Sequence, residues 1–192
     1  MAGKEAADQR YISVEDAIFG AFEILAAKKE PQKITVSEII RCAGIVRSSF
    51  YNHFDDMPSM INAAEDRIVE DIEQMMSRFR PGGSKEACKT FFLTLCKYTQ
   101  SHAYLERMLV GEDAARLVEK LLTMFHRHTK QLVKDTGNAV KTQENMAYAI
   151  AYSIGGVLGI LHKWMASRCA DPPELVALRL TESFLHGMTP YL

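Results

Sequence analysis

Residues 34–54 read ITVSEIIRCAGIVRSSFYNHF, a pattern of two short helices joined by a tight turn. Thr35 and Glu38 have the spacing of a capping box, in which each side chain accepts a hydrogen bond from the other residue's amide. Gly44 follows the first helical pattern, where a left-handed residue ends a helix at little cost. Residues 47–54 place two phenylalanines on one face and polar side chains on the other. This arrangement predicts a helix-turn-helix, whose second helix can enter the major groove of DNA.

Residues 44–54, GIVRSSFYNHF, resemble the recognition motif of the TetR family of bacterial transcriptional regulators, which runs roughly A-G-V-s-x-x-t-F/L-Y-x-H-F. The next residues, DDMPSMI at 55–61, resemble that family's F-x-D/N-K-e-x-L continuation. The specific part of the resemblance covers residues 14–61, about a quarter of the chain. It implies a transcriptional regulator, expected to be a repressor, that binds a palindromic double-stranded DNA operator as a homodimer and responds to a small-molecule effector.

The match to this motif assigns candidate DNA contacts. The set is Thr35, Ser37, Arg47, Ser48, Ser49, Tyr51, Asn52 and His53. Arg47 begins the second helix and can donate bidentately to O6 and N7 of guanine, whereas Asn52 can read adenine or point to solvent. Tyr51 and His53 match a phosphate-touching pair in the family, and the two serines after Arg47 match positions directed at bases or nearby phosphates. Thr35 and Ser37 lie at the N-terminus of a helix, a position that is suited to a phosphate.

Two positions depart from the family motif. Val46 stands where a capping or polar residue is usual, so we expect the second helix to begin less firmly. Met57 replaces the usual lysine, which removes a phosphate contact and lowers the expected affinity for DNA. Phe50 and Phe54 are predicted to lie in the core rather than on DNA. The motif therefore predicts DNA binding of lowered affinity.

A DNA-binding protein is expected to be basic, but this chain has 23 Lys and Arg against 24 Asp and Glu. Residues 28–54 form a small basic patch, with five basic residues against two acidic ones, and an acidic flank follows at residues 55–73. The patch predicts modest non-specific affinity and reliance on dimeric binding. The acidic flank and Met57 leave an alternative open, a regulator-fold protein that acts mainly through a protein partner with weak or lost DNA binding.

Helical periodicity continues along the rest of the chain, without a convincing strand pattern. We therefore predict an all-α protein with about nine helices. Residues 1–57 are assigned to a three-helix DNA-binding domain that contains the helix-turn-helix, with Ser13 as the cap of its first helix. Residues 58–192 are assigned to a helical bundle for ligand binding and dimerisation, with helix 58–80 connecting the two domains. The break RPGGS at residues 80–84 ends that connecting helix.

The long helix predicted over residues 143–168 is apolar around much of its circumference, so both of its faces are expected to be buried. Ala151, Gly155 and Gly159 form a stripe of small residues that permits close approach of another helix. An ordinary core helix of a monomeric bundle is one explanation. The other is that one face lines a cavity while another packs on a second subunit. The family resemblance implies the second, because family members dimerise through their last two helices.

Aromatic and methionine side chains on or beside helices five to eight predict an apolar effector cavity. The candidate lining residues are Phe91, Tyr98, His102, Met108, Phe125, Tyr148, Tyr152 and Trp164. The alternative is that these side chains fill a solid core. A cavity of this kind suits a mostly uncharged ligand with one or two hydrogen-bonding groups, for which Tyr152 and His102 are the expected donors. A helical enzyme or carrier that uses the cavity is a more distant functional alternative.

The chemistry-bearing residues form no catalytic pattern. No H-E-x-x-H, G-x-S-x-G, P-loop or G-x-G-x-x-G motif occurs, so we expect neither an enzyme nor a cofactor. The four cysteines lack metal-ligand spacing, which predicts no metal site and favours reduced, packed thiols over a redox pair of Cys88 and Cys96. The carboxylates expected to form the solvated face of helix four are Glu65, Asp66, Glu70, Asp71 and Glu73. Without a signal peptide or an apolar run of about 20 residues, the chain is expected to be cytoplasmic and to have no membrane partner.

Overall fold

The computed structural model describes residues 2–77, 84–110, 114–136 and 141–187. Within those residues it has nine α-helices, one short 3-10 helix at Pro31–Lys33 and no strand, so the predicted all-α fold is confirmed. The helices are α1 (Ala2–Ala26), α2 (Val36–Ala43), α3 (Arg47–Tyr51), α4 (Met57–Ser77), α5 (Lys85–Ser101), α6 (Ala103–Val110), α7 (Ala114–Thr136), α8 (Lys141–Ala166) and α9 (Pro173–His186). Apart from Ser84, the predicted break at residues 80–84 lies outside the described residues.

Contacts between residues divide the chain into two compact units. The first unit contains Met1–Arg67 and His102–Arg107, and the second contains Ile68–Ser101 and Met108–Leu192. Both α4 and α6 therefore contribute residues to each unit. The functional domain boundary that the sequence suggests at residue 57 stays a prediction.

The core of the first unit is built on one face of α1. Phe22 of α1, Ile39 of α2 and Phe50 of α3 are all buried. Phe54, which follows α3, packs on Phe19 of α1 with the two ring centroids 5.7 Å apart. Burial of large apolar side chains is the main stabilising contribution in a small helical unit, so this cluster holds α2 and α3 against α1.

Two expectations about this unit are wrong. Because α1 begins at Ala2, Ser13 lies within the helix and does not cap it. The residues before it are rich in Ala, Lys, Glu, Gln and Arg, which favour helix and extend α1 toward its N-terminus. Glu65 does not belong to the solvated face, since its side chain is 0% exposed and accepts a 2.8 Å hydrogen bond from the hydroxyl of Tyr104. Asp66 and Glu70 are exposed, as the sequence predicts.

In the second unit α5 packs along α9. Phe92 of α5 and Leu180 of α9 are buried, and the ring of Phe92 meets that of Phe184 edge-on, with centroids 5.6 Å apart. An ion pair between Lys85 and Glu182 joins the first residue of α5 to α9. The two helices are therefore held by an apolar seam with a charged pair at one end.

One face of α8 is buried within the chain and the opposite face is exposed. Ile154, Leu161 and Trp164 are buried, whereas Gly155 and Gly159 are exposed. The expected burial of both faces is therefore not observed within a single chain. A Cβ atom added at either glycine would meet no atom within 4 Å, so this exposed face has room for a neighbouring helix.

Cys88 and Cys96 are buried, as expected for packed thiols. Burial raises the pKa of both thiols, that of Cys96 to about 12, which keeps them protonated and disfavours a redox pair. Cys42 is exposed, so the packing expectation is wrong for that residue. In the described ranges, no group of three or more His, Cys, Asp or Glu is arranged to hold a metal ion. No helix in those ranges is long and apolar enough to cross a membrane.

Candidate nucleic-acid interface

Both ends of α2 are capped as the sequence predicts. The amide of Thr35 donates to Oε2 of Glu38 at 2.9 Å, and the amide of Glu38 donates to the Thr35 hydroxyl at 3.4 Å, which completes the capping box. Gly44 ends the helix at a φ of 67°, which costs glycine no Cβ clash, and its amide donates to the carbonyl of Ile40. The turn between α2 and α3 is therefore fixed by local sequence.

An ion pair ties the capped start of α2 to the segment after α1. Nζ of Lys29 lies 2.7 Å from Oε1 and 2.6 Å from Oε2 of Glu38. The hydrogen bond from this ammonium, together with those from Thr35, lowers the pKa of Glu38 to about 2. Lys33 is similarly paired with Glu30 at 2.9 Å. Carboxylates therefore partly neutralise two cations of the basic patch.

The second helix of the pair, α3, is five residues long and shorter than the predicted 47–54. Its N-cap residue, Val46, makes no side-chain cap hydrogen bond, which confirms the expected weak start. After α3 the chain turns and brings Phe54 into the core, where Phe50 is also buried, so both phenylalanines are confirmed as core residues. A helix this short is not stable alone, and α3 depends on these two side chains for its position.

Six of the eight predicted DNA-binding residues are exposed, and all eight belong to the first unit. The exposed ones are Thr35, Ser37, Arg47, Ser48, Tyr51 and Asn52. The Thr35 hydroxyl is engaged in the capping box, where it donates to Oε2 of Glu38 at 2.8 Å. Because that carboxylate repels a phosphate, Ser37 is better suited than Thr35 to contact one.

Ser49 and His53 are less accessible than the other six. The His53 side chain is 4% exposed, and its Nδ1 lies 3.6 Å from Oε2 of Glu15 on α1. The imidazole, which follows α3 directly, therefore lies against α1 rather than in solvent. The family motif gives no sign of this contact, because the partner lies on a different helix.

Arg47 and Tyr51 form a pair on the exposed side of α3. Nη2 of Arg47 donates to the Tyr51 hydroxyl oxygen at 3.3 Å, and the guanidinium carbon lies 5.6 Å from the centroid of the ring. Sequence reasoning named both residues but missed their contact. The spacing of four residues on a helix was the available signal.

The predicted effector residues differ in unit and in exposure, and the pocket stays a prediction. His102 belongs to the first unit and the other seven to the second. Met108 is buried, whereas Phe91, Tyr98 and Phe125 are half-buried. Trp164 is 4% exposed, and its indole Nε1 donates to the backbone carbonyl of Asp171 at 2.8 Å. The two remaining residues, Tyr148 and Tyr152, are 80% and 69% exposed, so they line no closed cavity within a single chain.

Sequence comparisons find similarity to transcriptional regulators. A TetR family model, described as "Transcriptional regulator C-terminal region", matches residues 86–186, more than half of the chain. An HTH-type transcriptional regulator of Haemophilus influenzae is 28% identical over 138 residues. That match covers 69% of this chain and 65% of the relative, so the chain spans just under two thirds of the length of the curated relative.

Solved structures with a similar fold include a TetR-family transcriptional regulator from Streptomyces coelicolor. It has a TM-score of 0.69 and 16% identity, and the match covers 92% of this chain and 81% of that one. NalD of Pseudomonas aeruginosa, described as the secondary repressor of the MexAB-OprM multidrug efflux pump, has a TM-score of 0.64 and 19% identity over 92% of this chain and 97% of its own. At identities below 20%, the similarity to these two structures shows that the chain shares their fold.

Proposed function

The chain belongs to the TetR family of transcriptional regulators, and from this premise we propose that it is a repressor that binds a palindromic DNA operator as a homodimer. In this proposal α3 reads the operator, the exposed surface of α8 and α9 forms the dimer, and a small-molecule effector bound by the second unit releases the DNA. The observation that carries the proposal is the helix pair of α2, which is capped at both ends, and α3, which presents Arg47, Ser48 and Tyr51 to solvent while Phe50 packs in the core.

The side chains on this surface suit the two kinds of DNA contact. Arg47 can read a base edge, and the hydroxyls of Ser37 and Tyr51 can donate to phosphate oxygens. Val46 is 66% exposed at the start of α3, where an apolar side chain suits the methyl group of thymine. His53 is buried beside Glu15 of α1, so its contribution is to packing after α3 rather than to DNA contact.

The charges near α2 and α3 favour weak DNA binding by one subunit and tighter DNA binding by a dimer. Lys29 and Lys33 face carboxylates, so the basic patch has less free positive charge than its composition indicates. Phosphate neutralisation supplies most non-specific affinity, and each additional phosphate contact steepens the salt dependence. Two subunits that bind together double the number of contacts. Their recognition helices would then meet successive major grooves about 34 Å apart.

The dimer part of the proposal rests on apolar side chains exposed along two neighbouring helices. Tyr148 and Tyr152 of α8 are exposed, and Gly155 continues the same exposed side. Leu178 and Leu185 of α9 are 39% and 40% exposed, and α8 packs on α9. Single exposed apolar residues are ordinary, but a contiguous set marks an interaction surface. A two-fold dimer uses the same surface on both subunits and matches the symmetry of a palindromic operator.

The effector part of the proposal uses the buried and half-buried members of the predicted set. Phe91, Met108 and Phe125 supply apolar surface, and Tyr98 supplies a hydroxyl that donates to Asp71 at 2.7 Å. The exposure of Tyr148 and Tyr152 favours the dimer surface over the cavity for those two. An effector releases DNA only if it binds the DNA-free arrangement more tightly. Because α4 contributes residues to both units, it is the proposed carrier of that change.

The proposal is tested with short duplexes tiled across the DNA upstream of the chain's own gene. Each fluorescent duplex is titrated with protein, and anisotropy gives its dissociation constant at a fixed salt concentration. A repressor should bind one duplex about a thousandfold or more tightly than a scrambled duplex of the same composition. Absent or equal binding to every duplex would favour the alternative, a regulator-fold protein that acts mainly through a protein partner.

A further inference from the structure

Arg47 and Tyr51 are not independent side chains on the surface of α3. They are four residues apart, the spacing at which side chains of a helix meet. The 3.3 Å hydrogen bond and the 5.6 Å separation of guanidinium and ring give two contacts between them. Phe50, which is fully buried, meets the Tyr51 ring edge-on with centroids 5.5 Å apart. Phe50 therefore restrains the ring of Tyr51, and Tyr51 in turn restrains the guanidinium of Arg47.

We propose that Tyr51 is a positioning residue that holds Arg47 for selective reading of one guanine in each operator half-site. The inference rests on the operator binding proposed above. An unrestrained arginine loses much rotamer freedom when it binds a base, and it can reach neighbouring phosphates as easily. Contact with Tyr51 removes part of that freedom before DNA arrives, so the reading of the base costs less.

The donor count of Arg47 agrees with this role. A guanidinium has five N–H donors in a planar fork, and the bond to Tyr51 uses one of them. The remaining donors are sufficient for two parallel hydrogen bonds. Guanine accepts both at O6 and N7, whereas adenine sets a donor beside its N7 and thymine has one acceptor in the major groove. A guanidinium held in one orientation therefore favours guanine.

The hydroxyl of Tyr51 can also contact the DNA backbone. Its oxygen accepts from Arg47, so its own hydrogen can be donated to a phosphate oxygen. Phosphate contacts set the register of a protein on DNA, and base contacts carry the sequence information. The pair joins the two functions, because the residue that contacts the phosphate also orients the residue that reads the base.

A purely structural role is the rival explanation. The pair spans the whole of a five-residue helix, and such contacts also stabilise the helix that carries them. A structural role predicts that loss of the Tyr51 hydroxyl weakens binding to every duplex by the same factor. A positioning role predicts a larger loss on duplexes that carry the guanine. Guanine selectivity is therefore the measurement that separates the two roles.

The test uses the full chain and the preferred duplex from upstream of its gene. Each guanine in turn is replaced by 7-deazaguanine, which lacks the N7 acceptor and keeps Watson–Crick pairing. Anisotropy titrations compare the wild type with Arg47→Ala, Tyr51→Phe and Arg41→Ala, and circular dichroism checks the helix content of each. Arg41→Ala is the matched control, because it removes an exposed arginine from α2 rather than α3.

For the wild type, we expect one 7-deazaguanine position in each half-site to weaken binding by about fivefold or more. This penalty should vanish in Arg47→Ala, fall to about half or less in Tyr51→Phe, and persist in Arg41→Ala. An undiminished penalty in Tyr51→Phe, with all duplexes weakened equally, overturns the positioning role and leaves operator binding standing. A wild type that prefers no duplex overturns operator binding and this inference with it.

Discussion

The hydroxyl of Tyr104 donates a 2.8 Å hydrogen bond to Oε1 of Glu65, and both side chains are buried in the first unit. The Tyr104 ring also packs edge-on against Phe22, with centroids 4.8 Å apart, and its amide donates to the Glu23 carboxylate at 3.1 Å. A buried carboxyl group is costly unless it is hydrogen-bonded. These contacts explain why His102–Arg107 belongs to the unit that contains α1 and α3, far earlier in the chain.

Tyr104→Phe should lower the free energy of unfolding by about 1–3 kcal/mol, because it keeps the ring and removes a hydrogen bond to a buried carboxyl group. Urea denaturation followed by circular dichroism measures the loss. The control is a double-mutant cycle with Glu65→Met, in which the double variant should lose less than the two single variants together. Strictly additive losses would contradict a direct bond between the two side chains.

The ion pair of Lys29 with Glu38 predicts a pH dependence of stability. The pKa of Glu38 in the folded chain is about 2, below its ordinary value of 4.5. Ionised Glu38 therefore stabilises the folded state above pH 4.5, and this contribution is lost as the pH falls toward 2. Lys29→Gln should lower stability at pH 7, and its difference from wild type should shrink over that acidic range. Urea unfolding at several pH values measures the effect.

The same substitution has a direct spectroscopic readout. Carbon-13 NMR of the Glu38 carboxyl should show its pKa rising toward the ordinary value in Lys29→Gln, because the largest cause of the depression is gone. Lys28→Gln is the matched control, since it removes the adjacent lysine and should leave the Glu38 pKa near 2. A Glu38 pKa unchanged by the loss of Lys29 would refute the pairing.

Much of the first unit could be predicted because its signals are local. The capping box of Thr35 with Glu38 and the left-handed Gly44 depend on residues within one or two turns, so sequence alone specifies α2. The core positions of Phe50 and Phe54 were predicted from their spacing of four residues, although Phe54 lies just after α3 rather than within it. The pair of Arg47 with Tyr51 was also within reach of the sequence, since it needs only a spacing of four on a helix.

What could not be predicted depends on partners distant in the chain. Glu65 looked solvated because its neighbours on α4 are polar, and its burial requires Tyr104 of α6. The imidazole of His53 looked available to DNA, but it is 4% exposed and lies beside Glu15 of α1. The exposure of one face of α8 could not be predicted for a different reason. An apolar helix predicts burial on all sides, but it cannot specify whether the cover comes from the same chain.

Gly155→Leu should convert the proposed dimer into a monomer. Gly155 is exposed and a Cβ atom there meets nothing within 4 Å in the single chain, so we expect one subunit to keep its fold and a closely packed neighbour to be blocked. Sedimentation should give about twice 21.6 kDa for the wild type and 21.6 kDa for the variant. Gly20→Leu on α1 is the matched control, because Gly20 has equally open surroundings and belongs to the first unit rather than to α8 or α9. A monomeric wild type, or a dimer unaffected by the bulky side chain, would rule out this surface.

Sequence reading by α3 is tested most directly by the binding of Arg47→Ala to the preferred duplex and to a scrambled duplex, with wild type measured alongside at one salt concentration. Loss of a base-reading arginine should cost about 1–3 kcal/mol on the preferred duplex, and much less on the scrambled one, where only its charge contributes. Fluorescence anisotropy gives both dissociation constants. An equal loss on the two duplexes would mean that Arg47 supplies charge alone, and it would contradict sequence-specific recognition through α3.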